Sequence, residues 1–106
     1  MKINSFNELA NICKIIAVGY NTMCEIKEYP QYDFAQICFM TDKFGGTYTI
    51  LHYDYGTGRL TKNFGHKDAM EIDSINCLFR VVWDDMQTEL KARDLDEITA
   101  LVNAEY

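Results

Sequence analysis

The sequence predicts an α+β fold with an N-terminal helix, an antiparallel sheet of three to four strands and two C-terminal helices. Apolar residues recur at helical spacing near both ends of the chain, and the segment between them alternates with a period of two. No proline-, glycine- or serine-rich run divides the chain. With 106 residues, 48% of them hydrophobic, it can bury a core. We therefore expect one domain over residues 1–106.

The first helix is predicted to begin at Ser5. Ser5 and Glu8 have the spacing of a capping box, in which the serine hydroxyl accepts a hydrogen bond from the Glu8 amide. Gly19 is a suitable terminator, because glycine commonly follows the last turn of a helix. The apolar residues between them have helical spacing: Phe6, Leu9, Cys13, Ile16 and Ala17.

Two strands are predicted between residues 23 and 41. Side chains alternate over residues 23–28, and Pro30 ends this strand, which suits a position at or near the sheet edge. Residues 34–41 are apolar on both faces apart from Gln36. This composition predicts a strand that lies centrally or under a helix on each side.

Glycines mark the turns in the rest of the predicted sheet. Gly45 and Gly46 supply positive φ for a turn before a third strand over residues 47–55. A short fourth strand is predicted over residues 59–64. Gly65 is predicted to end the sheet.

The C-terminal part of the chain predicts two helices. Residues 68–71 have a box-like helix start, either as a separate turn or as the first turn of a long helix over residues 73–93. A second acidic cap at residues 94–97 begins the last helix, which extends to Tyr106. The stripe of the long helix consists of Ile75, Leu78, Phe79, Val82, Met86 and Leu90, and that of the last helix of Leu95, Ile98, Leu101, Val102 and Tyr106.

The net charge of −6 is concentrated at the C-terminal end. Residues 1–66 carry six basic and six acidic side chains, whereas residues 67–106 carry four basic and ten acidic ones. Such a field repels nucleic-acid phosphates and attracts basic protein surfaces. The alternative is an acidic face that only keeps the protein in solution. The predicted partner-binding carboxylates are Asp84, Asp85, Glu89, Asp94, Asp96 and Glu97.

Aromatic side chains are frequent in the predicted strands. Trp83, Tyr53 and Tyr55 are candidate anchors for a protein partner, because such rings are enriched in interface hot spots. The alternative is that half of the strand rings pack under the helices. A small enzyme or ligand-binding domain with a site around His52 and the tyrosines is the rival function, and it requires a concave pocket with convergent polar groups. We predict no catalytic residues, metal or cofactor.

The four cysteines are spread along the chain rather than paired as C-x-x-C. They are predicted to be small buried side chains with free thiols in a cytoplasmic protein; a disulfide or a zinc site is the alternative. No N-terminal signal pattern and no apolar run of membrane-spanning length is present. We therefore expect no contact with a membrane.

Residues 64–70 follow a predicted helix and sheet and resemble the entry to the last helix of a double-stranded-RNA-binding domain. That family places lysines here to hold phosphates. In this chain Lys67 is surrounded by Asp68, Glu71 and Asp73, which penalise phosphate contact. The resemblance is therefore limited to the order of elements, and we expect no direct binding of nucleic acid.

The order of elements and the acidic helices resemble small phage and mobile-element proteins of the anti-CRISPR class. This resemblance rests on architecture and charge, without a shared motif. It implies a non-enzymatic inhibitor that is located in the host cytosol and acts on an RNA-guided Cas nuclease. Its carboxylates would mimic DNA and occupy a basic channel of the nuclease. A homodimerising structural module is the further alternative, so the chain is predicted to be a monomer or a homodimer.

Overall fold

A computed structural model describes residues 5–41 and 47–86. The elements, in chain order, are α1 (Phe6–Gly19), β1 (Met23–Tyr29), a 3₁₀ turn (Pro30–Tyr32), β2 (Phe34–Thr41), β3 (Thr47–Asp54), β4 (Leu60–Lys62), β5 (Met70–Ile72) and α2 (Ile75–Met86). The α+β class is as predicted. The number of strands and the order of the elements differ from the prediction.

Helix α1 has the predicted start and end. The Ser5 hydroxyl accepts a hydrogen bond from the Glu8 amide at 3.2 Å, and the helix ends at Gly19. The Tyr20 amide then donates to the Ile16 carbonyl at 2.9 Å and satisfies one terminal acceptor. The buried face consists of Leu9, Ile12, Cys13, Ile16 and Ala17.

The five strands form one antiparallel meander in the order β1-β2-β3-β4-β5. Strand β1 lies at the edge, as predicted, and β2 lies between β1 and β3. The prediction of three to four strands, with Gly65 ending the sheet, is wrong, because Met70–Ile72 forms β5 beside β4. Residues 68–71 therefore do not start a helix. Ile72 is buried opposite Leu60, and this contact between distant residues outweighs the local capping pattern.

Helix α2 is instead capped by Ser74, whose hydroxyl accepts a hydrogen bond from the Cys77 amide at 3.0 Å. The predicted stripe of this helix is buried at Leu78, Phe79, Val82 and Met86. The remainder of the predicted helix, the last predicted helix and the turn at residues 42–46 lie outside the described residues.

Both helices cover one face of the sheet. This inner face carries four buried residues of β2, which are Ala35, Ile37, Phe39 and Thr41. It also carries the residues opposite them on β1 and β3. Its side chains join those of α1 and α2 in one hydrophobic core. Within the described residues no helix is long and apolar enough to cross a membrane.

The opposite, outer face carries the intervening β2 residues with their cross-strand partners. The register aligns Met40 with Met23 and Tyr48, Cys38 with Glu25 and Ile50, Gln36 with Lys27 and His52, and Phe34 with Tyr29 and Asp54. Within the described part of the chain, α1 and α2 cover the inner face and no helix covers the outer face.

Candidate functional site

The two adjacent acidic residues of α2 lie in different environments. Asp84 is exposed. The Asp85 carboxylate instead accepts a hydrogen bond from the Thr49 hydroxyl at 2.6 Å and one from the Lys62 ammonium at 2.7 Å. The Asp85 and Lys62 side chains are only 21% and 24% exposed. The charge of Asp85 is therefore compensated within the chain. The other predicted carboxylates, Glu89, Asp94, Asp96 and Glu97, lie outside the described residues.

The negative charge of Asp84 affects the pKa of the buried side chain of Tyr20. The Tyr20 hydroxyl donates a hydrogen bond to the Phe79 carbonyl oxygen at 3.2 Å and links α1 to α2. Burial, and secondly the negative charge of Asp84, raises the pKa of Tyr20 to about 12. The phenol therefore stays protonated and keeps this hydrogen bond at neutral pH.

The predicted aromatic anchors belong to the helix-covered side of the molecule. Trp83 is half-buried and meets Tyr20 edge-on, with ring centroids 5.9 Å apart. Tyr53 and Tyr55 surround Phe6 of α1 at centroid distances of 5.2 and 5.5 Å. The Tyr55 hydroxyl also donates to the Glu28 carboxylate at 2.8 Å. These three rings are thus engaged within the chain.

The outer face carries a row of four stacked rings, defined here as the ring row: Tyr29, Phe34, His52 and Phe64. Successive centroids lie 4.9, 4.8 and 3.8 Å apart, with interplanar angles of 22°, 22° and 5°. Burial lowers the pKa of His52, although the nearby Asp54 opposes this shift. Stacking between the rings of Phe34 and Phe64 removes water from the imidazole, which costs more free energy for the charged form than for the neutral one.

Two cavities border the ring row. The ring cleft, of about 470 Å³, is lined by Tyr32, Phe34, Gln36, His52, Asp54 and Phe64. The edge cleft, of about 760 Å³, is lined by Gln36, Tyr48, Thr49, Ile50, Lys62, Asn63, Phe64, His66 and Asp85. Gln36 and Phe64 line both cavities, so the two cavities are neighbours. The edge cleft has the volume of a ligand site, with the Asp85–Lys62 pair among its lining residues.

The residues of the rival enzyme prediction are brought together in part, because His52 and Tyr32 both line the ring cleft. His52 lies on the outer face, whereas its neighbour Tyr53 points to the inner face and packs on Phe6. His66 lines the edge cleft without His52. Among the described residues no group of three His, Cys, Asp or Glu side chains is placed to hold a metal ion.

The cysteines are all free thiols, as predicted, but the prediction that all four are buried is wrong, because only Cys13 is buried and the other three are partly exposed. Burial, and secondly the Cys24 sulfur, raises the pKa of Cys13 well above its ordinary value. Burial also raises the pKa of Cys24 to about 11, although Lys14 opposes the shift, and it raises that of Cys38. These three thiols are therefore weak nucleophiles at neutral pH, because the thiolate is the reactive form.

Sequence reasoning missed the residues that line the edge cleft, among them Thr49, Lys62 and Phe64. One signal for the exposed face was present, since residues 34–41 are apolar on both faces while the two helices cover only one. The Asp85–Lys62 contact has no local spacing that reveals it.

Comparison of the chain with protein-family models, curated proteins and solved structures finds no match.

Proposed function

We propose that this chain acts by binding another protein through the outer face of its sheet. The observation that carries the proposal is the exposure of large apolar side chains there and in the turns beside it. The exposed fractions are 69% for Tyr32, 66% for Tyr48, 65% for Met23, 60% for Phe64 and 44% for Ile50. Contiguous apolar surface of this kind typically marks an interaction site.

The arrangement of these side chains supports a binding surface. Met23, Met40 and Tyr48 are cross-strand neighbours, and Ile50 lies in the next row beside Cys38. The stacked ring row continues the surface toward the other end of the strands. Rings held by stacking lose little side-chain freedom when a partner covers them, which favours their use as anchors.

The partner is proposed to present apolar side chains surrounded by basic groups. The described residues carry six basic and ten acidic side chains, and the whole chain has a net charge of −6. An acidic molecule attracts a basic partner and repels nucleic acid. Asp84 is exposed but belongs to α2, in the helical layer on the other side of the sheet, so it contributes to the long-range field and not to the contact; Asp85 is paired with Lys62.

A narrower form of the proposal is an inhibitor that occupies a basic nucleic-acid-binding site of an RNA-guided nuclease. The acidity of the chain supports this form. It assigns the steering of the partner to the carboxylates and the tight contact to the outer face. Its affinity should therefore fall as salt is added.

The test is a binding measurement with a partner recovered by crosslinking from the source cells and then purified. The double variant Tyr48→Ser/Ile50→Ser should bind at least about tenfold more weakly, because it removes two anchors from the outer face. Val18→Ser is the matched control, since Val18 is an exposed apolar residue of α1, on the helical layer. Equal affinity of the double variant and the wild type would contradict the proposal.

A further inference from the structure

Strand β3 is longer than the strand beside it. β4 pairs only with Leu51, His52 and Tyr53 of β3. On the side of β3 that faces β4, residues 48–50 have no strand partner within the described part of the chain. Their other side is fully paired with β2, from Thr47 opposite Thr41 to Asp54 opposite Phe34. Among the described residues half of β3 is therefore an edge, although the strand lies in the middle of the sheet.

The edge is open because the chain turns away after Lys62. Asn63 has a left-handed backbone with φ of 59°, a conformation that asparagine adopts more readily than most residues. The His66 amide then donates to the Asn63 carbonyl at 3.0 Å and closes a turn. Without this turn the chain would continue alongside Ile50.

The hydrogen-bonding groups of the open edge point outward. The Asp54 amide donates to the Arg59 carbonyl at 2.9 Å, and the Asp54 carbonyl accepts from the Gly58 amide at 2.8 Å. Asp54 thus presents both groups toward the β4 side. Because these groups alternate along a strand and the pairing with β2 is continuous, Ile50 and Tyr48 present theirs to the same side.

The edge cleft provides space beside these groups. This cavity of about 760 Å³ is lined by Tyr48, Thr49 and Ile50 on one side and by Lys62 and Asn63 at one end. On the outer face its wall is apolar, with Ile50 and Phe64. On the inner face its wall is polar, with Thr49 and the Asp85–Lys62 pair. The two walls therefore match the two sides of an extended strand, which point in opposite directions.

We infer that this edge binds an extended segment of the partner protein as an added strand beside residues 48–50. The segment pairs its backbone with Tyr48 and Ile50, places apolar side chains against the outer wall and hydrogen-bonding side chains against the inner wall. Because β4 already pairs with β3 from Leu51 to Tyr53, the added segment must end or turn before it reaches Lys62. This inference rests on the proposed protein-binding function and specifies how the partner is held.

The probe is a displayed library of random octapeptides, selected on the full chain and followed by backbone NMR. Selected peptides should alternate apolar and polar residues. Their binding should slow hydrogen exchange of the Tyr48 and Ile50 amides by at least about tenfold, as expected for newly paired strand amides. N-methylation of the peptide residues whose amides face β3 should weaken binding at least about tenfold, whereas N-methylation of the intervening residues should have a smaller effect.

Three results would overturn the inference: no selected peptide, selected peptides that leave the Tyr48 and Ile50 amides unchanged, or protection of these amides in the free protein. The outcome is separable from that of the proposed function. If Tyr48→Ser/Ile50→Ser weakens partner binding while the two amides stay unprotected, protein binding by the outer face stands and strand addition fails.

Discussion

At the scale of single residues, the Asp85–Lys62 pair is the charged contact on which we expect stability to depend. Both side chains are mostly buried, and Asp85 also holds the Thr49 hydroxyl. Removal of one partner leaves the other charge poorly solvated, which costs more than the loss of an exposed pair. We expect Lys62→Met to lower the free energy of unfolding by about 1–2 kcal/mol, as measured by urea denaturation.

A double-mutant cycle separates this pair from its surroundings. Asp85→Asn with Lys62→Met should show a coupling of about 1 kcal/mol. The matched control is the cycle of Arg59 and Glu71, which lie 3.8 Å apart with side chains 69% and 54% exposed, and which should show almost no coupling. Equal coupling in both cycles would mean that burial does not strengthen the Asp85 contact.

His52 gives a residue-scale prediction for pH. Its pKa in the folded chain lies below the ordinary 6.5, chiefly because of burial, so the folded state binds fewer protons than the unfolded state. Its contribution to stability is therefore fully present above pH 6.5 and is lost as the pH falls through that value toward the folded pKa. An NMR titration should place the His52 midpoint below 6.5. A midpoint above 6.5 would show that Asp54 outweighs burial.

At the scale of elements, the left-handed residue after β4 decides where that strand ends. Asn63→Val should lower the free energy of unfolding by about 1–2 kcal/mol, because a β-branched side chain is strained at positive φ. Asn63→Gly is the matched control. Both variants lose the hydrogen bond from Asn63 to Asp68, at 3.4 Å, so the loss of this bond cancels in their difference. If the two variants are equally stable in thermal unfolding, backbone strain does not end β4.

The elements that sequence reasoning located have local signals. The Ser5 cap and the 3.6-residue period define α1, and the alternation at residues 23–28 with Pro30 defines the edge strand β1. Strand β5 has only three residues, and its acidic surroundings resemble a helix start. Its pairing with β4 depends on Ile72 packing opposite Leu60, a contact between distant residues that no local pattern encodes.

The same distinction applies to the candidate site. Thr49 and Lys62 are 36 and 23 residues from Asp85, so only the fold brings them together. The charge pattern predicted an acidic surface, but it could not show that Asp85 is paired with Lys62 while Asp84 is exposed. The open edge of β3 depends on one backbone conformation at Asn63, which the residue type permits without requiring it.

At the scale of the whole molecule, acidity and the outer face act in opposite directions on self-association. The net charge of −6 keeps copies apart at neutral pH, whereas the apolar side chains of the outer face attract one another. The isoelectric point of about 4.7 is the pH at which the repulsion disappears. We therefore expect light scattering to show growing association as the pH falls from 7 to 4.7.

The outer face is the surface that we expect to drive this association. Tyr48→Ser/Ile50→Ser changes no charge, so the double variant should associate less than the wild type at pH 4.7, whereas Val18→Ser should behave as the wild type. Concentrated salt at pH 7 should also promote association, because it shortens the range of the repulsion to about 3 Å at 1 M. If the double variant associates as strongly as the wild type, a surface other than the outer face drives self-association.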